Sequence, residues 1–222
     1  MKSVAVLCRG KSLQYIPMIP EVDEYIIVNR FGDELEIEYL SSRLMGKQIT
    51  QILSLVPEEP QLMLERDHYR KFDIKKIILP YIAETVPGAP IPIQNKSGNI
   101  PWSVLSDNLK PYMYSRNERP DGDTRYAYSF PTSGLAGVGY ATVDLDVDDI
   151  YIIGLDFYDT GYAYGKEFES DEVAIRRGEN PNMMKSFFTE FVKKSPKKNY
   201  KLYTCSSYNE KIDNLTVYNL EK

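Results

Sequence analysis

Cysteine, histidine and tryptophan are nearly missing from this chain, which holds two, one and one of them in 222 residues. Cys8 and Cys205 are too few and too far apart for a disulfide framework or a thiolate zinc site, so a cytoplasmic chain is expected. The single histidine, His68, sits among Arg66, Asp67, Arg70 and Lys71, the setting of a solvated side chain. An excess of positive charge is also missing. The formal net charge of −5 argues against a general nucleic-acid binder. No apolar run approaches the roughly eighteen residues of a membrane-crossing helix. The apolar start Val4 to Cys8 has only the length of a strand, so neither a signal peptide nor an integral membrane span is expected. Repeats and low-complexity tracts are missing too.

What is present suits one large α/β domain spanning 1–222, with a lid. The apolar content of 42% is that of an ordinary globule able to bury a core. The most telling stretch is Ser129 to Glu167. Thr132, Ser133 and Gly134 sit where a helix would start: two hydroxyls can cap its first turn, and Gly134 lets a ligand approach the backbone. Leu135 to Leu145 is a small-residue helix suited to close packing on a sheet. Asp149 to Gly154 reads as a buried parallel strand. Ligands of open α/β sheets bind beyond the carboxyl ends of the strands. Leu155 to Tyr164 leaves that end, so this segment, with Asp156, Phe157 and Tyr158, is expected to line a site.

Elsewhere the pattern gives further strands at Lys2 to Cys8, Glu24 to Asn29, Gln48 to Val56, Ile74 to Leu79 and Lys201 to Cys205. The first runs into Arg9-Gly10-Lys11-Ser12-Leu13, the layout of an anion-binding turn between strand and helix, or of a plain structural turn. Asn29 ends the second strand. Its amide could meet a base or ribose edge, or simply cap the next helix. Helical spacing covers Pro60 to Phe72 and Met184 to Lys194. Pro80 to Pro101 reads as irregular, Trp102 to Leu109 as a brief helix, and the residues after Cys205 carry no clear signal. Gly165 to Asn182 is charged and poor in apolar residues, so 157–183 reads as the lid. Arg116, Arg119 and Arg125 are candidates to meet an acidic ligand.

Asp144, Asp146 and Asp148 form overlapping D-x-D patterns of the kind that hold Mg²⁺ or Mn²⁺. They precede the strand at Asp149, which places them at the amino end of the sheet, and no metal is expected there.

Four separated pieces share an order with one known family: Cys8 to Leu13 (C-R-G-K-S-L), Val28 to Phe31 (V-N-R-F), Thr132 to Gly134 (T-S-G) and Ile153 to Tyr158 (I-G-L-D-F-Y), the last followed by Tyr164. Together they resemble the bacterial lipooligosaccharide sialyltransferases, with their G-N-G-P-S-L, T-S-G and G-I-D-F-Y motifs. The resemblance implies a single Rossmann-like α/β domain with a mostly parallel sheet, helices on both faces and a lid. It also implies a CMP-sugar donor, a glycan acceptor and no metal or other cofactor, and it leaves a homo-oligomer open.

By the same resemblance Gly10 and Ser12 belong to the nucleotide-binding turn, and Asn29 meets the ribose or base. Thr132, Ser133 and Gly134 approach the nucleotide, and Tyr158 and Tyr164 donate hydrogen bonds to the leaving phosphate. The chain departs from the family at Arg9, which replaces an asparagine, around Phe130, which replaces an arginine, and at 176–180, where the family's histidine base is missing. Glu179, Asp156 and His68 are the substitutes, in that order. Two other readings stand beside sialyl transfer: a nucleotide-binding relative without transfer activity, and pyrophosphoryl transfer to a pterin, whose enzymes start with a comparable turn.

Overall fold

The structure, a computed structural model, describes residues 2–29, 31, 34, 37–52, 72, 74, 76–82, 109–114, 132–163 and 181–221. Eight strands form one sheet: β1 (Ser3–Leu7), β2 (Glu24–Val28), β3 (Gln48–Ile52), β4 (Lys76–Ile82), β5 (Leu109–Tyr114), β6 (Asp149–Ile153), β7 (Asn199–Thr204) and β8 (Leu215–Asn219). Their order is β5-β4-β3-β2-β1-β6-β7-β8, and every neighbouring pair is parallel. The order reverses between β1 and β6, which pair from Ser3 with Asp149 to Leu7 with Ile153. Such a reversal opens a crevice at the carboxyl ends of the two strands, because their connections leave in opposite directions.

The central strands are buried on both sides, as their near-continuous apolar runs require. Alternation then sorts the side chains. Val4 and Val6 of β1 share a core with helices α2 (Ser133–Val143) and α3 (Pro181–Lys193), through residues such as Leu135, Val138 and Phe188. Ala5 and Leu7 face the other way, onto a 3-10 helix at Lys11–Met18 and onto α1 (Glu38–Leu44), through Leu13, Ile16, Leu40 and Leu44. Helices therefore cover both faces, as expected. α2 is buried along nearly its whole length, which its Gly, Ala and Val content allows.

The structure adds elements to the expected set. β5 and β8 are both strands at the edges of the sheet, and α1 is a helix that the pattern did not indicate. β3 covers Gln48–Ile52, the rest of that expected strand, 53–56, lying outside the described residues, and β4 runs on to Ile82, past Pro80. α3 begins at Pro181, three residues before the expected start, because Pro fits the first helical turn. The expected helix at 60–71 and the reading of 102–108 lie outside the described residues. Among the described residues, no helix is long and apolar enough to cross a membrane.

Candidate functional site

The crevice is built from backbone meeting backbone. Past the end of the strands the β1–β6 pairing continues, with the Cys8 N–H donating to Ile153 O and the Gly10 N–H to Gly154 O, both at 2.8 Å. A Cβ on Gly10 would lie 2.6 Å from Gly154 O and 2.7 Å from Asp156 Oδ2. One on Gly154, whose φ is +78°, would lie 2.2 Å from Cys8 O. Only glycine permits this approach.

Asp156 is the hub beneath it. The residue is 3% exposed. Its Oδ2 accepts from the Ser12 N–H at 2.8 Å and from Thr160 Oγ1 at 3.0 Å, while Oδ1 accepts from Thr204 Oγ1 and the Cys205 N–H, both at 2.9 Å. One carboxylate thus ties together the ends of β1, β6 and β7. Ser12 is fully buried, and its hydroxyl accepts from the Gly154 N–H at 2.8 Å. The side chains of Ser12 and Asp156 are spent on the frame of the crevice. Burial first, then the Asp156 charge, pushes the Cys8 thiol far up. The same causes, followed by Glu221, push Cys205 up to about 12.

The start of α2 borders the same place. Thr132 is its N-cap and accepts from the Leu135 N–H at 3.3 Å, a cap worth about 1 kcal/mol. Ser133 is the first helical residue rather than a second cap. A Cβ on Gly134 would touch Cys8 Sγ at 3.0 Å and Leu155 Cδ1 at 3.3 Å, so the first turn of α2 stands at the junction of β1 and β6. Asn29 follows β2 at φ +56°, and its N–H donates to Ile52 O. It does not cap α1, whose N-cap is Ile37. The Asn29 Oδ1 is buried and has no hydrogen-bond partner among the described residues.

The segment after β6 makes a tight turn. The Asp159 N–H donates to Asp156 O at 2.9 Å, and the two residues between them, Phe157 and Tyr158, have φ of +51° and +62°. Positive φ at both central positions is the type I′ pattern, usually filled by Asn, Asp or Gly. Holding two aromatic residues there costs roughly 1–2 kcal/mol each. Phe157 is 2% exposed, stacked on Tyr208 at 5.1 Å between centroids and tilted against Phe188 at 5.6 Å. Tyr158 is half-buried against the edge of the same core.

Beyond Asp159 the chain returns to the β1 turn. Gly10 bridges Tyr162, the Ala163 N–H donates to Arg9 O, and Gln14 Nε2 donates to Ala163 O. Of the expected lid at 157–183, residues 157–163 are thus fastened to the body of the protein and 181–183 open α3. Arg9 lies over the Tyr162 ring at 5.0 Å and donates through Nε to Glu34 Oε1, in an ion pair almost wholly buried.

Gly10, Asn29, Thr132, Gly134 and Tyr158 all belong to segments at the carboxyl ends of β1, β2 and β6 or to the start of the helix above them. Tyr164, Glu179, His68, Arg116, Arg119 and Arg125 lie outside the described residues. The aspartates at 144, 146 and 148 lie at the opposite end of the sheet, where Asp146 pairs with Lys2 at 3.2 Å and the Asp148 N–H donates to Lys2 O. A cavity of about 420 Å³ lies beside the edge strand β8, lined by Tyr208, Glu210, Lys211, Asp213 and Thr216 among others, two strands away from β6.

The crystal structure of the sialyltransferase CST-II in complex with a trisaccharide acceptor and CMP superposes with a TM-score of 0.54 at 19% identity, covering 91% of this chain and 81% of that one. It shares the sialyltransferase fold. A Tyr→Phe variant of the same enzyme with CMP gives 0.53 at 17% identity, over 91% and 81% of the two chains. An Asn→Ala variant with CMP gives 0.54 at 18%, over 92% and 82%. No family model matches the chain, and no curated protein matches it by sequence. The likeness to sialyltransferases is therefore one of fold, carried by the parallel sheet and its central reversal.

Sequence reasoning missed the Thr204 and Cys205 donors to Asp156, the Arg9–Glu34 pair, and Lys185 and Ser207 around Asp159. The one available signal was the Cys205-Ser206-Ser207 run at the end of a strand, a polar turn where the sheet would carry a ligand.

Proposed function

We propose that the protein is a glycosyltransferase that moves sialic acid or a related sugar from a CMP-sugar to a glycan acceptor, with inversion and without a metal. One observation carries this reading. The fold of a CMP-binding sialyltransferase extends over 91% of the chain, and the turn at Gly10, the start of α2 and the Phe157–Tyr158 turn converge at its central reversal. In this reading the nucleotide lies across that reversal. Gly10 and Gly134 admit its phosphate and sugar close to the backbone, with Ser12, Asp156 and Phe157 shaping the floor. The unpartnered Oδ1 of Asn29 accepts from the base or ribose, and Thr132 and Ser133 flank the phosphate at the positive end of α2.

Charge builds on the departing CMP phosphate as the sugar takes on oxocarbenium character. The phenol O–H groups of Tyr158 and Tyr164 donate to that charge and lower the barrier. The acceptor hydroxyl attacks from the opposite face and loses its proton to a base. Asp156 is committed to four donors, which leaves Glu179, ahead of His68, as the base.

Incubation with CMP-sialic acid tests the proposal, with free CMP as the readout and Tyr158→Phe/Tyr164→Phe as the control. CMP release that needs both tyrosines supports it. Saturable CMP binding with no turnover overturns transfer in favour of a nucleotide-binding relative, a reading favoured by the absence of histidine between Tyr164 and Asn180. Binding of GTP or ATP but not CMP points to pyrophosphoryl transfer.

A further inference from the structure

Tyr158 sits in a turn that its own chemistry disfavours, and the structure shows what opposes that preference. On the entry side Asp156 is held by its four donors. On the exit side Asp159 accepts from Lys185 Nζ at 2.7 Å and 2.9 Å, from the Ser207 N–H at 2.8 Å and from Ser207 Oγ at 2.8 Å. Lys185 also donates to Ser207 Oγ at 2.9 Å. These three residues come from the turn, from α3 and from the segment after β7. Phe157 has its own anchor in the rings of Tyr208 and Phe188. Tyr158 packs at the margin of the same core and holds a positive φ there.

We propose that Asp159 and Lys185 are positioning residues for Tyr158, an ion pair that holds the exit of the turn against α3 and keeps Tyr158 at positive φ beside the crevice. The catalytic half of this inference rests on the proposed role of Tyr158 in transfer; the conformational half does not. When the pair is broken, the exit of the turn loses its tie to α3 and is left with the Ser207 donors and the Asp156 carbonyl, and Tyr158 relaxes toward negative φ, where an aromatic residue is more stable. A phenol displaced by about 1 Å loses up to roughly a hundredfold in rate while the nucleotide still binds.

Two readouts separate the conformational and catalytic halves. The first is the intraresidue HN–Hα NOE of residue 158, which is strong only at positive φ. The second is the steady-state kinetics of CMP release. Lys185→Met is expected to lose the strong NOE and to lower kcat about ten- to a hundredfold with KM for the donor nearly unchanged, and Lys185→Arg to recover both. A purely stabilising pair would leave the NOE and kcat of the folded variant as in the parent, and that result overturns the proposal. Asp159→Asn, which removes the charge and keeps an acceptor for Ser207, replaces Lys185→Met should that variant not fold. A weakened NOE with an intermediate kcat then supports the proposal, and an unchanged NOE and kcat overturn it. If the parent protein releases no CMP, the functional reading falls, and the NOE alone decides whether the pair holds the turn.

Discussion

The Ser12 N–H and the Asp156 carboxylate meet at 2.8 Å across 144 positions of sequence, inside the protein and away from water. Three more donors converge on the same carboxylate; its removal strands the Ser12 and Cys205 N–H groups, while the Thr204 and Thr160 hydroxyls keep other partners. Asp156→Ala is expected to cost about 2–6 kcal/mol, since each buried donor left unpaired costs roughly 1–3 kcal/mol. Chemical denaturation measures it. A loss within about 0.5 kcal/mol, the range of an ordinary surface change, would show that the carboxylate does not hold the strands' ends together.

Gly10→Ala places a methyl group against Gly154 O and Asp156 Oδ2. Neither can yield, because one is backbone and the other is held by its donors. The β1 turn must lift, with a stability loss of about 1–3 kcal/mol and a loss of CMP affinity that exceeds it in relative terms. Denaturation and CMP titration of the same sample check both. Full CMP affinity in this variant would place the nucleotide elsewhere.

Acid acts on Asp159. Burial alone would raise its pKa, but the hydrogen bonds from Lys185 and Ser207 outweigh burial and bring it below the ordinary value of 3.8. A lowered folded-state value means stabilisation that is present above 3.8 and lost as the pH falls through the folded value. The stability gap between the parent and Lys185→Met is therefore expected at neutral pH and should close as the pH falls through the lowered folded-state value. A gap independent of pH would show that the pair contributes through packing alone.

Metal removal is expected to do nothing to transfer. The acidic run Asp144 to Asp148 lies at the amino end of β6, and a cation there could not reach a phosphate at the carboxyl end. CMP release measured after chelation, and in Asp144→Asn and Asp146→Asn, should match the untreated parent. A loss restored by Mg²⁺ or Mn²⁺ would overturn the metal-free reading.

The buried strands were legible because burial on both faces demands unbroken apolar runs, as at Ile150 to Ile153 and Tyr25 to Val28. The elements that escaped are those released from that demand. β8 alternates Leu215 and Val217 with Thr216 and Tyr218 after a polar stretch, the pattern of an edge. β5 contains Pro111, and the reading of β4 stopped short of Pro80. Pro80 lies beyond the described β3 pairs, which end with Ile52 beside Ile78, and is matched with Tyr112 of β5. At the site, the Gly10 turn and the T-S-G helix start could be read locally, since each depends on adjacent residues. The Asp156 and Asp159 networks could not. Apart from Thr160, their partners lie 26 to 144 positions away, and a serine or lysine carries no mark of the carboxylate it will meet.

The pairing of β1 with β6 sets a timetable for synthesis. The innermost strand leaves the ribosome first, yet one of its two neighbours emerges only after Ile153. Until then a hydrogen-bonding edge of the future centre stays open, and closing it requires one of the longest loops in the molecule. Nascent chains arrested before that point are expected to be vulnerable to aggregation, and the amino-terminal half gains its lasting shape only when the carboxyl-terminal half docks beside it.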